Sequence, residues 1–257
     1  GKTYVSAIAL QLIKERKINL DEKVSTYLGG FEWYIKIPNA PNITVRMLMN
    51  HTSGVMRYEF KEKFTRDLAN NPSKSWKPEE LLRYILDEPG AFKAGEGWEY
   101  SDTNYILLGM IIEKVTEVKY YQLLQKSILQ PLRLINTLPS DKQKLDGLAQ
   151  GYAGSENEFG GKDKVIGEDG LFIINPQFEW TGGGIYSTTD DLAKWGKLLY
   201  GGKVIDTTLL LSSAVPAKLG RDTKYALGVI IRPTSLGIAY GHSGFFPGYM
   251  TELLYFP

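Results

Sequence analysis

The stretch Glu99-Tyr100-Ser101-Asp102-Thr103-Asn104-Tyr105 stands at the entry to a helical pattern. Beyond it Tyr105, Leu108, Ile112 and Val115 share one stripe, widened by Leu107 and Ile111, so the spacing predicts a buried helix with Asp102 or Thr103 as its cap. Tyr100 then precedes the positive end of that helix. Far upstream, Val5, Ile8, Ala9, Leu12 and Ile13 follow helical spacing over residues 3–17, which puts Lys2 in a first turn. Far downstream, His242-Ser243-Gly244 lies in a β-rich region. A lysine and a tyrosine held together can act as a general base, because the ammonium favours the phenolate. An unperturbed tyrosine titrates near ~10, so reaching about 7 takes roughly 4 kcal/mol of local electrostatics. One close cation and a helix N-terminus can supply much of it.

Between these anchors, Thr44 opens a short helix through Met49, and Asn50-His51-Thr52-Ser53-Gly54 is turn chemistry. Pro78, Glu79 and Glu80 open a helix that places Leu81, Leu82, Ile85 and Leu86 on one face and ends before Pro89-Gly90. A helix around 121–129 stops at Pro131, and residues from about 139 to 180 read as mostly irregular with short strands. Ser187 or Thr188 caps a helix carrying Leu192, Trp195, Leu198 and Leu199, closed by Gly201-Gly202. Then the period changes to that of strands over 225–231, 238–242 and 249–256, with breaks at Pro233 and at Pro247-Gly248. Three successive strands predict an antiparallel meander.

The chain has 257 residues, 43% of them hydrophobic, enough for one domain with a sizeable core. Its formal net charge is +1, and Lys and Arg do not cluster with aromatics, which argues against nucleic acid as a partner. The longest strongly apolar run, 105–112, is far shorter than the ~18–20 residues of a transmembrane segment. Cysteine is absent, which excludes disulfides, thiolate metal sites and a cysteine nucleophile. The two histidines, His51 and His242, are far apart in sequence, so no histidine-rich metal site is expected. Neither a metal nor another cofactor is called for.

A serine three residues before a lysine on a helix is the simplest activated nucleophile, since the hydroxyl and the amine lie one turn apart. No serine of the chain has a lysine at that spacing. If Lys2 is the lysine of such a pair, its serine falls two residues before Gly1. Both ends of the chain read as cut through a folded domain.

Six blocks carry a resemblance. They are Gly1-Lys2-Thr3-Tyr4 through Val24, Met47-Leu48-Met49-Asn50-His51-Thr52-Ser53-Gly54, Tyr100 to Tyr105 with Leu107-Leu108-Gly109, Pro131-Leu132, Gly183-Gly184-Ile185-Tyr186-Ser187-Thr188 with Asp191-Leu192-Ala193, and Gly241-His242-Ser243-Gly244 with Pro247-Gly248. In this order they resemble the serine β-lactamase-like family of class C β-lactamases, D-alanyl-D-alanine carboxypeptidases, D-aminopeptidases and esterases. The resemblance implies an α+β fold of the β-lactamase/transpeptidase type, an antiparallel sheet flanked by helices plus a mostly helical lobe. On that mapping residues 1–257 are one serine-hydrolase domain lacking its N-terminal strands and nucleophile and its C-terminal strand and helix. The helical lobe spans about 30–200, and a sheet portion of about 222–257 packs with helix 3–17.

The same resemblance assigns catalytic roles to Lys2, Tyr100 and His242 and substrate-binding roles to Asp102, Ser243, Gly244 and Phe245. The backbone amide of Phe245 would form an oxyanion hole with the serine's own amide. Two departures stand out. Asp102 replaces the usual asparagine, so a carboxylate can pair with Lys2 and hold it as ammonium, either helping Tyr100 ionise or crippling Lys2 as a base. His242 replaces a lysine, which removes a permanent cation from where β-lactams present a carboxylate. An alternative register, Ser101-Asp102-Thr103 as a variant Ser-Asp-Asn motif, ranks below the Tyr100 register because Tyr105 and the Leu-Leu-Gly spacing fit the other branch.

Other features have plainer readings. His51 is expected to be a loop histidine bonding local backbone, since no partner carboxylate is evident. Gly182-Gly183-Gly184 lacks the lysine of a phosphate loop and is expected to allow close backbone packing. The Trp33-Tyr34 and Trp98-Tyr100 clusters read as core or rim. The expected function is a serine hydrolase acting through an acyl-enzyme on small esters, amides or D-amino-acid peptides, with weak or no β-lactamase activity. The alternatives are an inactive penicillin-recognition-fold binding or regulatory protein and a purely structural interaction domain. Relatives are commonly exported, so a periplasmic or secreted location is expected from the resemblance; oligomeric state is unreadable.

Overall fold

Every residue from Asp102 to Ile112 is buried, so this helix is the axis against which other helices pack. Ile106, Leu107, Leu108, Met110, Ile111 and Ile112 make it apolar all round, wider than the single stripe the spacing suggests, and such a helix belongs in a core. The structure, a computed structural model, describes residues 1–154 and 163–257. In chain order the helices are α1 (Lys2–Lys14), α2 (Val24–Leu28), α3 (Val45–Met49), α4 (Glu62–Asn70), α5 (Pro78–Leu82), α6 (Asp102–Thr116), α7 (Tyr120–Leu124), α8 (Trp180–Gly183), α9 (Thr189–Tyr200) and α10 (Thr207–Leu210). The strands are β1 (Leu138–Pro139), β2 (Ile185–Tyr186), β3 (Val215–Pro216), β4 (Lys224–Tyr225), β5 (Ile230–Thr234), β6 (Gly237–Phe246) and β7 (Tyr249–Tyr255). This is an α+β fold. Of the irregular stretch expected over about 139–180, residues 155–162 lie outside the described residues.

Helix boundaries follow local chemistry. Thr44 caps α3 by accepting from the Met47 N–H, and Thr188 caps α9 by accepting from the Asp191 N–H, each at 3.3 Å. Pro78 opens α5, but that helix closes at Leu82, and Ile85 is buried from the irregular turns that follow. The cap of α6 is Ser101; Asp102 is the first helical residue, and its carboxylate turns to cations instead of the helix end.

β3 to β7 form one five-stranded antiparallel sheet in chain order, two more strands than the expected meander. Phe246 pairs with Tyr249 across Pro247-Gly248, where Gly248 takes φ +87 as a tight Pro-Gly turn requires. Pro233 does not break its strand; it lies inside β5 opposite Ile238, past the end of the two-residue β4, where a missing N–H is tolerated.

The core sits among α1, α6, α8 and α9. Trp195 of α9 is fully buried, stacks on Tyr4 of α1 at 4.1 Å, and its Nε1–H donates to Thr3 Oγ1 at 2.9 Å. That pair fixes the height of Lys2. Gly109 lets α8 approach α6, since a Cβ there would come within 2.5 Å of Thr181 Oγ1. Gly196 of α9 faces Leu253 of β7, which joins the helices to the sheet.

Gly228, in the turn between β4 and β5, has φ +81, and a Cβ there would overlap Ser6 Oγ of α1 and come within 2.7 Å of the Tyr105 hydroxyl. Strain and overlap together make Gly228→Ala expected to cost roughly 2–4 kcal/mol. A urea midpoint unchanged from the parent would refute this.

Candidate active site

Three remote segments deliver the charged centre. The first turn of α1 carries Lys2, the start of α6 and the residues just before it carry Asp102 and Tyr100, and α8 itself brings the Gly182 carbonyl. Lys2 Nζ donates to both Asp102 Oδ1 and the Gly182 oxygen, and its side chain is only 4% exposed. The same ammonium lies 4.8 Å from the centre of the Tyr100 ring. The glycine run behaves as close packing requires, because a Cβ on Gly1 would meet Gly183 Cα at 2.7 Å.

The other oxygen of Asp102 belongs to Arg57, whose Nη2 lies 2.9 Å from Oδ2. Arg57 Nε also donates to Glu59 at 2.9 Å, and the guanidinium stacks on Phe60 at 4.0 Å. Burial opposes the Asp102 charge, but Lys2, Glu59 and Arg57 outweigh it and hold the carboxyl well below the usual carboxylate range. Burial likewise opposes the Lys2 charge, yet Asp102 and then Tyr100 lift its pKa above the ordinary lysine value. Glu59 is pushed well up, first by burial and then by Asp102. Glu179, just before α8, is raised to about 7 by burial and Asp102.

The idea that Lys2 draws the Tyr100 phenol toward neutrality needs correction for the resting site. Burial dominates and pushes Tyr100 up, and Asp102 adds to that push while Lys2 opposes it. At pH 7 the site therefore holds an ammonium beside a phenol.

Behind Tyr100 lies a cluster of rings. His51 lies 4.4 Å from the Tyr100 ring and 4.7 Å from Tyr225. Its Nδ1 accepts from the Ser101 N–H at 3.3 Å and from Asn104 Nδ2 at 3.1 Å, so it holds the start of α6, just after Tyr100, through groups remote in sequence and not through local backbone. Burial, reinforced by Lys2, keeps His51 neutral. Ser53, its neighbour in sequence, donates to Asn104 Oδ1 at 2.6 Å and is fully buried.

His242 of β6 reaches the same cluster. Its ring lies 6.1 Å from Tyr100, and its Nε2 is 3.0 Å from the Tyr225 hydroxyl. Burial first, then Lys2, lowers its pKa to about 3, so it is neutral at physiological pH. Beyond it Ser243, Gly244 and Phe245 are exposed on β6, and Phe245 is 77% exposed. Among the described residues β5 pairs only with residues 237–241, so His242 to Phe245 have no strand partner on that side.

The chain thus brings Lys2, Tyr100, Asp102 and His242 together beside an open strand edge. Sequence reasoning missed Arg57, Glu59 and Glu179, which come from two 3-10 turns, Tyr58–Phe60 with Arg57 just before it and Pro176–Glu179, too short to show a period. The only trace of Arg57 is a single charge set among Val55, Met56 and Tyr58.

The chain is 27% identical over 266 residues to penicillin-binding protein 4* of Bacillus subtilis (strain 168), covering 97% of this chain and 55% of that protein. It is 29% identical over 202 residues to protein flp of Staphylococcus aureus (strain N315), covering 76% of this chain and 36% of that one. It therefore spans about half or less of these relatives. Among solved structures, the D-stereospecific amidohydrolase from Streptomyces sp. is similar with TM-score 0.85 and 26% identity, over 98% of this chain and 75% of that one. The octameric penicillin-binding protein homologue from Pyrococcus abyssi is similar with TM-score 0.76 and 26% identity, over 100% of this chain and 57% of that one. With the family model described as Beta-lactamase matching residues 1–257, the chain belongs to the serine β-lactamase and penicillin-binding-protein-like family.

Proposed function

We propose that the protein is a serine hydrolase that forms an acyl-enzyme on small esters, amides or D-amino-acid peptides, with weak or no β-lactamase activity. The observation that carries this reading is the meeting of Lys2, Tyr100 and the open edge of β6 in one site. The nucleophile would be a serine one helical turn ahead of Lys2, before residue 1. Lys2 and Tyr100 would share its proton during acylation and return one in deacylation. The backbone amide of Phe245 would stabilise the oxyanion, where each such donor contributes roughly 3–4 kcal/mol. The Streptomyces amidohydrolase, by its name, is D-stereospecific, which supports the choice of substrate class.

A neutral His242 offers no cation to a substrate carboxylate, which is why uncharged esters and amides are preferred in this reading. His242→Lys is expected to speed acylation by a penicillin roughly tenfold, the scale of one charge-assisted hydrogen bond. An unchanged or slower rate would show that the carboxylate is not presented there.

A second reading, a binding or regulatory protein without turnover, draws on the Asp102 contact that holds Lys2 as ammonium. Incubating the full-length protein with a fluorophosphonate probe and an activated ester separates the two. Stoichiometric labelling of a serine three residues before Lys2, with ester turnover, is expected of the hydrolase. Neither labelling nor turnover would leave the second reading.

A further inference from the structure

Asp102 poses an electrostatic problem that the site itself answers. A carboxylate in contact with Lys2 opposes every step in which the Lys2–Tyr100 pair must give up a proton, because it attracts the ammonium and repels a phenolate. Its second oxygen is held by a guanidinium at 2.9 Å that also lies 5.4 Å from the centre of the Tyr100 ring. We infer that Arg57 is a positioning residue for catalysis, which offsets the Asp102 charge and so keeps the Lys2–Tyr100 pair able to release a proton. This rests on the reading that Lys2 and Tyr100 carry the proton work.

The setting of Arg57 fits that task. Glu59 grips its Nε, Phe60 stacks on its face, and its side chain is 27% exposed, so the charge is fixed at the wall of the site. The side-chain exposure of Asp102 is 13%, leaving little water to screen the pair. Burial and then Asp102 push Glu59 toward its protonated form, which reduces the negative charge it adds. Lys2, Asp102 and Arg57 then sum to a single positive charge, the charge that a lysine beside a neutral amide would have.

Other groups facing the pair change this little near neutrality. Burial keeps His51 and His242 uncharged from below and Tyr105 and Tyr225 uncharged from above. Glu179, raised to about 7 by burial and then Asp102 and lowered by Arg57, titrates near neutrality and moves with both substitutions, so rates are compared over the whole pH profile.

The test is a double-mutant cycle in the full-length protein with Arg57→Gln, Asp102→Asn and the two combined. Arg57→Gln alone is expected to lower kcat/KM for an activated ester roughly tenfold or more and to move the rising limb of its pH profile up by about one unit. In the Asp102→Asn background the same change is expected to alter kcat/KM by less than about threefold and to leave the limb in place. Equal losses in both backgrounds would overturn the inference while leaving the hydrolase reading intact. If the parent shows no turnover, the hydrolase reading fails instead, and the cycle is read in melting temperature. Arg57→Gln should then lower Tm by several degrees with Asp102 present and by far less with asparagine, and equal shifts would overturn the pairing.

Discussion

Tyr100→Phe in the full-length protein is expected to reduce kcat/KM for an activated ester by roughly 10²–10⁴-fold, the usual contribution of a positioned proton-transfer group. The ring would stay where it is, because its contacts with His51 at 4.4 Å and with Tyr225 and His242 at 6.1 Å do not involve the hydroxyl. A loss of rate without a loss of Tm therefore separates chemistry from packing. The resting phenol is pushed up by burial, so the pair of Lys2 and Tyr100 must release one proton before it can act as a base. That proton belongs to the pair and not to either residue, and kcat/KM should rise with pH through a single apparent pKa. In Tyr100→Phe that rise should vanish. Full retention of turnover would remove Tyr100 from the mechanism.

Local chemistry made much of the scaffold readable. Threonine caps at Thr44 and Thr188, Pro78 at a first helical position and Pro247-Gly248 as a turn each act within a few residues of chain, where sequence spacing and spatial spacing coincide. Lys2 in a first turn and Tyr100 ahead of a buried helix follow from the same periodicity. What escaped depends on distant partners. Ser101 is the cap of α6 because Lys2 and Arg57, remote in sequence, both claim the Asp102 carboxylate. Pro233 stays inside a strand because β4 is too short to flank it, which no property of Pro233 reveals. His51 finds its bonds at Ser101 and Asn104, fifty and fifty-three residues away. The resting ionisation of Tyr100 escaped for the same reason: burial and the Asp102 charge are tertiary facts, and they reverse the direction that a lone lysine would give.

Lys2→Met is expected to cost roughly 3–5 kcal/mol of stability at pH 7, as well as abolishing the proposed proton transfer. Methionine fills much of the same volume, so the loss is electrostatic. It removes the Lys2 ammonium from the Asp102 carboxylate, leaving Arg57 and Glu59, and strips the Gly182 carbonyl of its Lys2 donor. The pH dependence gives the cause away. Asp102 is shifted down, so its contribution is complete above the unfolded carboxyl value near ~3.9 and is lost as pH falls through the lower folded value. Lys2 is shifted up, so its contribution is complete below the unfolded value near ~10.4 and is lost as pH rises through the higher folded value. The gap in unfolding free energy between parent and Lys2→Met should therefore narrow toward either extreme and widen between them as pH rises through about 7, where Glu179, whose charge Lys2 favours, ionises. Asp102→Asn added to Lys2→Met should recover part of the loss, because no buried carboxylate is then left short of a partner. A gap that does not vary between strongly acidic and neutral pH would mean that the contact between Lys2 and Asp102 contributes packing alone.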